Sequence, residues 1–138
     1  MNRPPDSGPE GQAAGEPRRL AILMVEDSEN DALLIADALR RAGYEPSWRR
    51  VESAEELRAA LKESDWQAIL SDCGLPGFSA LDAFAICRES VVNAPFLLVS
   101  GALDDTLTEA AAKAGIRGWV SKDHLERLAG VLAEMGIG

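Results

Sequence analysis

From Leu20 onward, short apolar runs alternate with stretches of helical periodicity, and this alternation restricts the fold more than any other feature of the chain. A parallel sheet with crossover helices has that signature. The expected strands are Ala21 to Val25, a polar edge strand at Ser47 to Val51, Ala68 to Ser71, Phe96 to Val99, and Gly118 to Ser121. Between them, Ala32, Leu33, Ile35, Ala36 and Leu39 recur at helical spacing within a helix from Asn30 to Ala42, which Gly43 ends. Ser53 and Glu56 form a capping-box pattern opening a helix to Lys62. Further helices are expected from Ser79 through Cys87, Thr106 to Ala114, and His124 to Glu134. Five strands and five helices fill residues 19–138 as one domain. Residues 1–18 hold four of the seven prolines and no apolar periodicity, and read as a flexible tail.

Three strand endings carry chemistry. The first run stops at Glu26-Asp27, the third at Asp72, and the fifth at Lys122. In a doubly wound sheet, the carboxyl ends of the strands open onto one crevice. Three carboxylates and one ammonium would converge there, an arrangement suited to a divalent cation and a phosphoryl group. Each residue also has an ordinary reading: Glu26-Asp27 as a helix cap, Asp72 as a turn aspartate, Lys122 as a solvated charge. All of those would have to coincide at one sheet edge.

Composition narrows the partners. Apolar residues make up 46%, enough for a packed core, while the net charge of -9 disfavours nucleic acid or anionic lipid as a partner. A basic protein surface is the natural complement. No apolar stretch has the roughly 18 to 20 residues needed to cross a bilayer, and no export signal is seen. Cys73 and Cys87 lack paired spacing, which fits reduced thiols and a cytoplasmic location.

Taken together, Val25-Glu26-Asp27, Leu70-Ser71-Asp72 with Leu75-Pro76-Gly77, Val99-Ser100-Gly101 and Lys122 resemble the receiver domain of two-component response regulators. The resemblance runs from Leu20 to the C-terminus. It implies a flavodoxin-like α/β fold, a five-stranded parallel sheet in the order 2-1-3-4-5 with helices on both faces. It also implies that Asp72 is the phosphoacceptor, that Asp27 and Glu26 hold Mg²⁺ with Asp72 and the backbone carbonyl of Gly74, and that Lys122 contacts the phosphoryl group. Ser100 takes the switch-hydroxyl position and Trp119 the switch-aromatic position.

The chemistry agrees with that assignment. Clustered carboxylates raise one another's pKa unless a cation relieves them, and a hard Mg²⁺ takes oxygen ligands. A carboxylate is a competent nucleophile towards a phosphoryl donor. Gly74 and Ala102 offer no side chain to position an attacking water, so a long-lived phosphoryl group is expected.

Two positions depart from the family's pattern. Asp123 stands where proline usually follows the lysine; a cis peptide there would cost about 3–4 kcal/mol, which favours a trans bond and an altered loop. Asp123 also offers an N-cap, with Glu126 three residues on. Trp119 replaces a smaller aromatic residue and restricts inward rotation. His124 reads as a surface residue.

The expected function is a single-domain response regulator accepting a phosphoryl group from a histidine kinase or histidine phosphotransfer protein. It is not an enzyme beyond its own phosphorylation and dephosphorylation. It would signal through a downstream protein target, with a homodimer possible through the helix 4–strand 5–helix 5 face. Leu33, Leu34 and Arg40 on the first helix are candidate kinase contacts. A degenerate receiver that binds partners without phosphorylation is the alternative. A small phosphatase is disfavoured because Gly74 stands where a second carboxylate would be needed.

Overall fold

The computed structural model describes residues 17–137; the expected tail lies almost wholly outside them. Five parallel strands, β1 (Arg18–Val25), β2 (Tyr44–Val51), β3 (Ala68–Ser71), β4 (Phe96–Ser100) and β5 (Gly118–Ser121), form one sheet in the order 2-1-3-4-5. Helices α1 (Glu29–Arg41), α2 (Ala54–Leu61), α3 (Ala80–Glu89), α4 (Asp105–Ala114) and α5 (Leu128–Glu134) cover both faces. The doubly wound, flavodoxin-like reading holds.

β1 shows why the strands sit where they do. A strand covered on both faces must be apolar on both, not alternating. Leu20, Ile22 and Met24 pack with Ile35 and Leu39 of α1 and Leu128 and Leu132 of α5. Leu23 and Val25 face the opposite layer, with Leu57 of α2 and Ala83 and Ile86 of α3. The edge strand β2 is more polar and carries Pro46, whose missing N–H is tolerated on an edge.

Capping is mostly local. Ser53 Oγ accepts from Glu56 N, but the Glu56 carboxylate accepts from Glu52 N, one residue before the expected partner. Ser79 and Asp82 form a reciprocal box at α3. Gly115 ends α4 with φ 106°, a left-handed position that glycine adopts without strain.

The C-terminal segment differs from expectation. Residues Lys122–Arg127 form a 3₁₀ stretch broken at His124, and α5 starts only at Leu128. Asp123 is not the cap: its N–H donates to Ser121 Oγ at 3.1 Å, so Ser121 caps the segment. No cis peptide occurs among the described residues, so Lys122-Asp123 is trans.

Candidate functional site

The sheet ladders place the acids. Asp72 N donates to Val25 O at 2.9 Å, and Glu26 N donates to Val51 O at 3.0 Å. Both residues are therefore pinned one step past the ends of their strands, side by side on the central pair β1–β3. Arg50 of β2 donates from Nη1 to Glu26 O at 3.2 Å and holds the backbone of the acid pair from the edge strand. Ser28 follows as the N-cap of α1 and donates its own N–H to Glu26 Oε2 at 3.1 Å. The N-cap of α1 is therefore Ser28 and not the acid pair.

Glu26, Asp27 and Asp72 each present a carboxylate oxygen, and these atoms lie within 4.8 Å of one another. Glu26 is 2% exposed, Asp72 is partly buried, and Asp27 is open to solvent. Lys122 enters from the end of β5 with its side chain 17% exposed. Its Nζ lies 2.8 Å from Glu26 Oε1, 2.8 Å from Asp31 Oδ2 and 3.4 Å from Asp72 Oδ2. The residues from three separate strands do meet.

Electrostatics follow from burial. Burial pushes the Glu26 carboxyl above its usual 4.5, assisted by the Asp72 charge and only partly countered by Lys122 and the Ser28 N–H. Burial alone would lower the Lys122 pKa. The Asp31 hydrogen bond and the Glu26 and Asp72 carboxylates outweigh it, so the ammonium is held above its ordinary value. Glu26 Oε1 is buried with the Lys122 ammonium 2.8 Å away, and Oε2 accepts from Ser28 N, so this carboxylate is held in place from both sides. Lys122 is one positive charge among the clustered carboxylates, and a further hard cation would offset the rest. Three carboxylate oxygens within 4.8 Å of one another, a set of hard donors, fit Mg²⁺.

The remaining expected residues lie around this cluster. Ser100 is buried at the end of β4, where its Oγ accepts from Ala102 N at 3.1 Å and lies 2.8 Å from Cys73 Sγ. Its hydroxyl is thus engaged with the thiol beside Asp72. Asp72 Oδ1 accepts from Cys73 N at 2.8 Å. Gly74 is exposed in the loop just after Asp72, which closes through the turn Leu75-Pro76-Gly77-Phe78 with Gly77 at φ 69°. Trp119 on β5 is 38% exposed.

Sequence reasoning missed three contributors. Asp31 carries a first-turn helix position that reads as a dipole-favouring acid, with no sign of its bond to Lys122, 91 residues away. Arg50 lies in an ordinary edge strand. Cys73 beside Asp72 was visible, but its contact with Ser100 depends on how β3 and β4 pair.

Comparisons with known proteins agree with this geometry. The chain matches the family model "Response regulator receiver domain" over residues 22–132, and it belongs to that family. It is 25% identical over 125 residues to the sensory/regulatory protein RpfC of Xanthomonas campestris, covering 87% of this chain and 17% of that protein. It is 31% identical over 99 residues to the transcriptional regulatory protein TcrA of Mycobacterium tuberculosis, covering 70% of this chain and 38% of that one. The chain therefore spans well under half the length of either relative.

Among solved structures, the receiver domain of sensor histidine kinase PA1611 from Pseudomonas aeruginosa, with magnesium in its active-site cleft, superposes with a TM-score of 0.69. The identity is 22%, over 83% of this chain and 95% of that one. The chemotaxis protein CheY4 of Vibrio cholerae gives 0.69 at 21% identity, over 84% and 98%. At these identities the likeness is one of fold. No helix among the described residues is long and apolar enough to cross a membrane.

Proposed function

We infer that this receiver accepts a phosphoryl group on Asp72 from a histidine kinase or histidine phosphotransfer protein and signals by altered protein contacts. The observation that carries this is the meeting of Glu26, Asp27, Asp72 and Lys122 at one sheet edge. The residues that would hold Mg²⁺ are Glu26, Asp27 and Asp72, with the Gly74 carbonyl contributed by the family's pattern. Bound there, the ion would offset the clustered negative charge and that of the phosphoryl oxygens.

A carboxylate oxygen of Asp72 attacks phosphorus; the P–O bond forms as the bond to the donor's imidazole nitrogen breaks, and the imidazole leaves with the electron pair. Lys122 then follows the charge onto a phosphoryl oxygen. Ser100 leaves Cys73 and donates to another. Bonds of this charge-assisted kind are worth about 1.5–3 kcal/mol each, enough to bias a two-state loop. The chain's only chemistry in this reading is on itself. Trp119, on the exposed face of β5, would report the change at the α4–β5–α5 surface, where a downstream protein or a second copy could dock. The donor protein would meet α1, where Leu33 and Leu34 are 48% and 51% exposed.

Intact mass after treatment with acetyl phosphate and Mg²⁺ tests this. A gain of one phosphoryl group, absent in Asp72→Ala and persisting beyond seconds, is the expected result. No gain in the wild type would favour a receiver that binds partners without phosphorylation, and sustained turnover of small phosphate esters would point to a phosphatase.

A further inference from the structure

Lys122 has one more carboxylate around it than the proposed transfer requires. Its Nζ makes a full hydrogen bond to Asp31 Oδ2 at 2.8 Å, touches Glu26 at 2.8 Å, and stands 3.4 Å from Asp72 Oδ2. Asp31 lies outside the cluster of acids that can share a cation. Nor is it a loose surface group that happens to face a lysine. It sits in the first turn of α1, where its N–H donates to Ser28 Oγ at 3.1 Å, so a capped helix end fixes where its carboxylate points. The Lys122 side chain is mostly shielded from water and that of Asp31 is 35% exposed, so solvent weakens this pair without cancelling it.

We propose that Asp31 is a positioning residue for phosphoryl transfer: it holds the Lys122 ammonium in reserve on the α1 side of the crevice, closer to Asp31 than to Asp72. The inference rests on Asp72 being the phosphoacceptor. When a phosphoryl group arrives, Lys122 must exchange its bond to Asp31 for one to a phosphoryl oxygen. Part of the gain from that new bond is offset by the one given up. Asp31 touches no reacting atom; it sets how readily the ammonium is released.

The full chain is compared as wild type, Asp31→Asn and Asp31→Glu, and with Asp31→Asn added to Lys122→Gln. In metal-free protein, acylation of Lys122 by an amine-reactive ester, read by peptide mass, is expected to run about 2- to 5-fold faster in Asp31→Asn. Asp31→Glu, which keeps the charge, should stay near wild type. In Mg²⁺, calorimetric titration with beryllofluoride, a phosphoryl mimic, should show about 2- to 5-fold tighter binding to Asp31→Asn. That shift should vanish when Lys122 is already Gln.

Equal or weaker binding by Asp31→Asn, or the same shift without Lys122, overturns the proposal, as does an unchanged acylation rate. A role for Asp31 only in α1 stability would move the melting temperature and leave both readouts alone. Should Lys122→Gln fail to fold, because Glu26 loses its counter-charge, the decision rests on Asp31→Glu: wild-type affinity supports the proposal and Asn-like affinity overturns it. If the wild type takes up no beryllofluoride, the phosphoacceptor reading fails, while the acylation rates still decide whether Asp31 restrains Lys122.

Discussion

Cys87 lies on the inner face of α3 among Ala83, Ile86 and the strands below, and burial pushes its thiol up from 9.0 to about 12. In the unfolded chain that thiol ionises near pH 9. Between pH 9 and 12 the native state keeps a proton that the unfolded state has lost, so stability falls as pH rises, by at most about 1.4 kcal/mol per pH unit. Urea unfolding of wild type and Cys87→Ala at pH 8, 9 and 10 should show a steeper alkaline loss in the wild type. That window stays below the range where the raised Lys122 begins to contribute in the same direction. Parallel pH profiles would contradict the assignment. Single residues were legible unevenly. Glu26, Asp27, Asp72 and Lys122 each follow an apolar run, so strand patterning alone put them at one edge. Asp31 follows Ser28 at cap spacing and looks like part of a helix start, because nothing local records its bond to Lys122.

Gly118 illustrates what an element demands of its neighbours. It opens β5, and a Cβ there would meet Leu97 Cδ1 of β4 at 2.6 Å, Met135 Sδ just past α5 at 3.1 Å and Val131 Cγ1 of α5 at 3.3 Å. Gly118→Ala is expected to push α5 off β5 and to destabilise the fold by about 1–3 kcal/mol, measured by urea denaturation. A neutral outcome would mean that α5 shifts freely. Helix starts at Ser53 and Ser79 and the stop at Gly115 could be read locally, since a cap binds groups two or three residues away. The last element could not. A regular helix from His124 was expected, whereas the chain forms a 3₁₀ stretch capped by Ser121, broken at His124 and joined to α5 at Leu128. The break at His124 leaves no local signal in the sequence.

At the scale of the whole molecule, a net charge of -9 and a cluster of three carboxylates favour binding of a cation. A cation that binds the native state alone adds stability by mass action, about 1.4 kcal/mol at ten times its Kd. Thermal melting with and without Mg²⁺ should show a rise of a few degrees, about 3–5 °C for a domain of this size. Asp27→Ala should abolish the rise without harming the fold, because Asp27 is exposed. An equal rise in that variant would place the ion elsewhere.

The order of apolar runs and helical stretches by itself determined a parallel α/β sheet and the residues at its carboxyl edge, because strand and helix periods are local properties of a chain. Only the tertiary structure decided which of those residues touch. Lys122 meets Glu26, Asp31 and Asp72 through sheet order, and contacts between residues so far apart in the sequence leave no mark on local pattern.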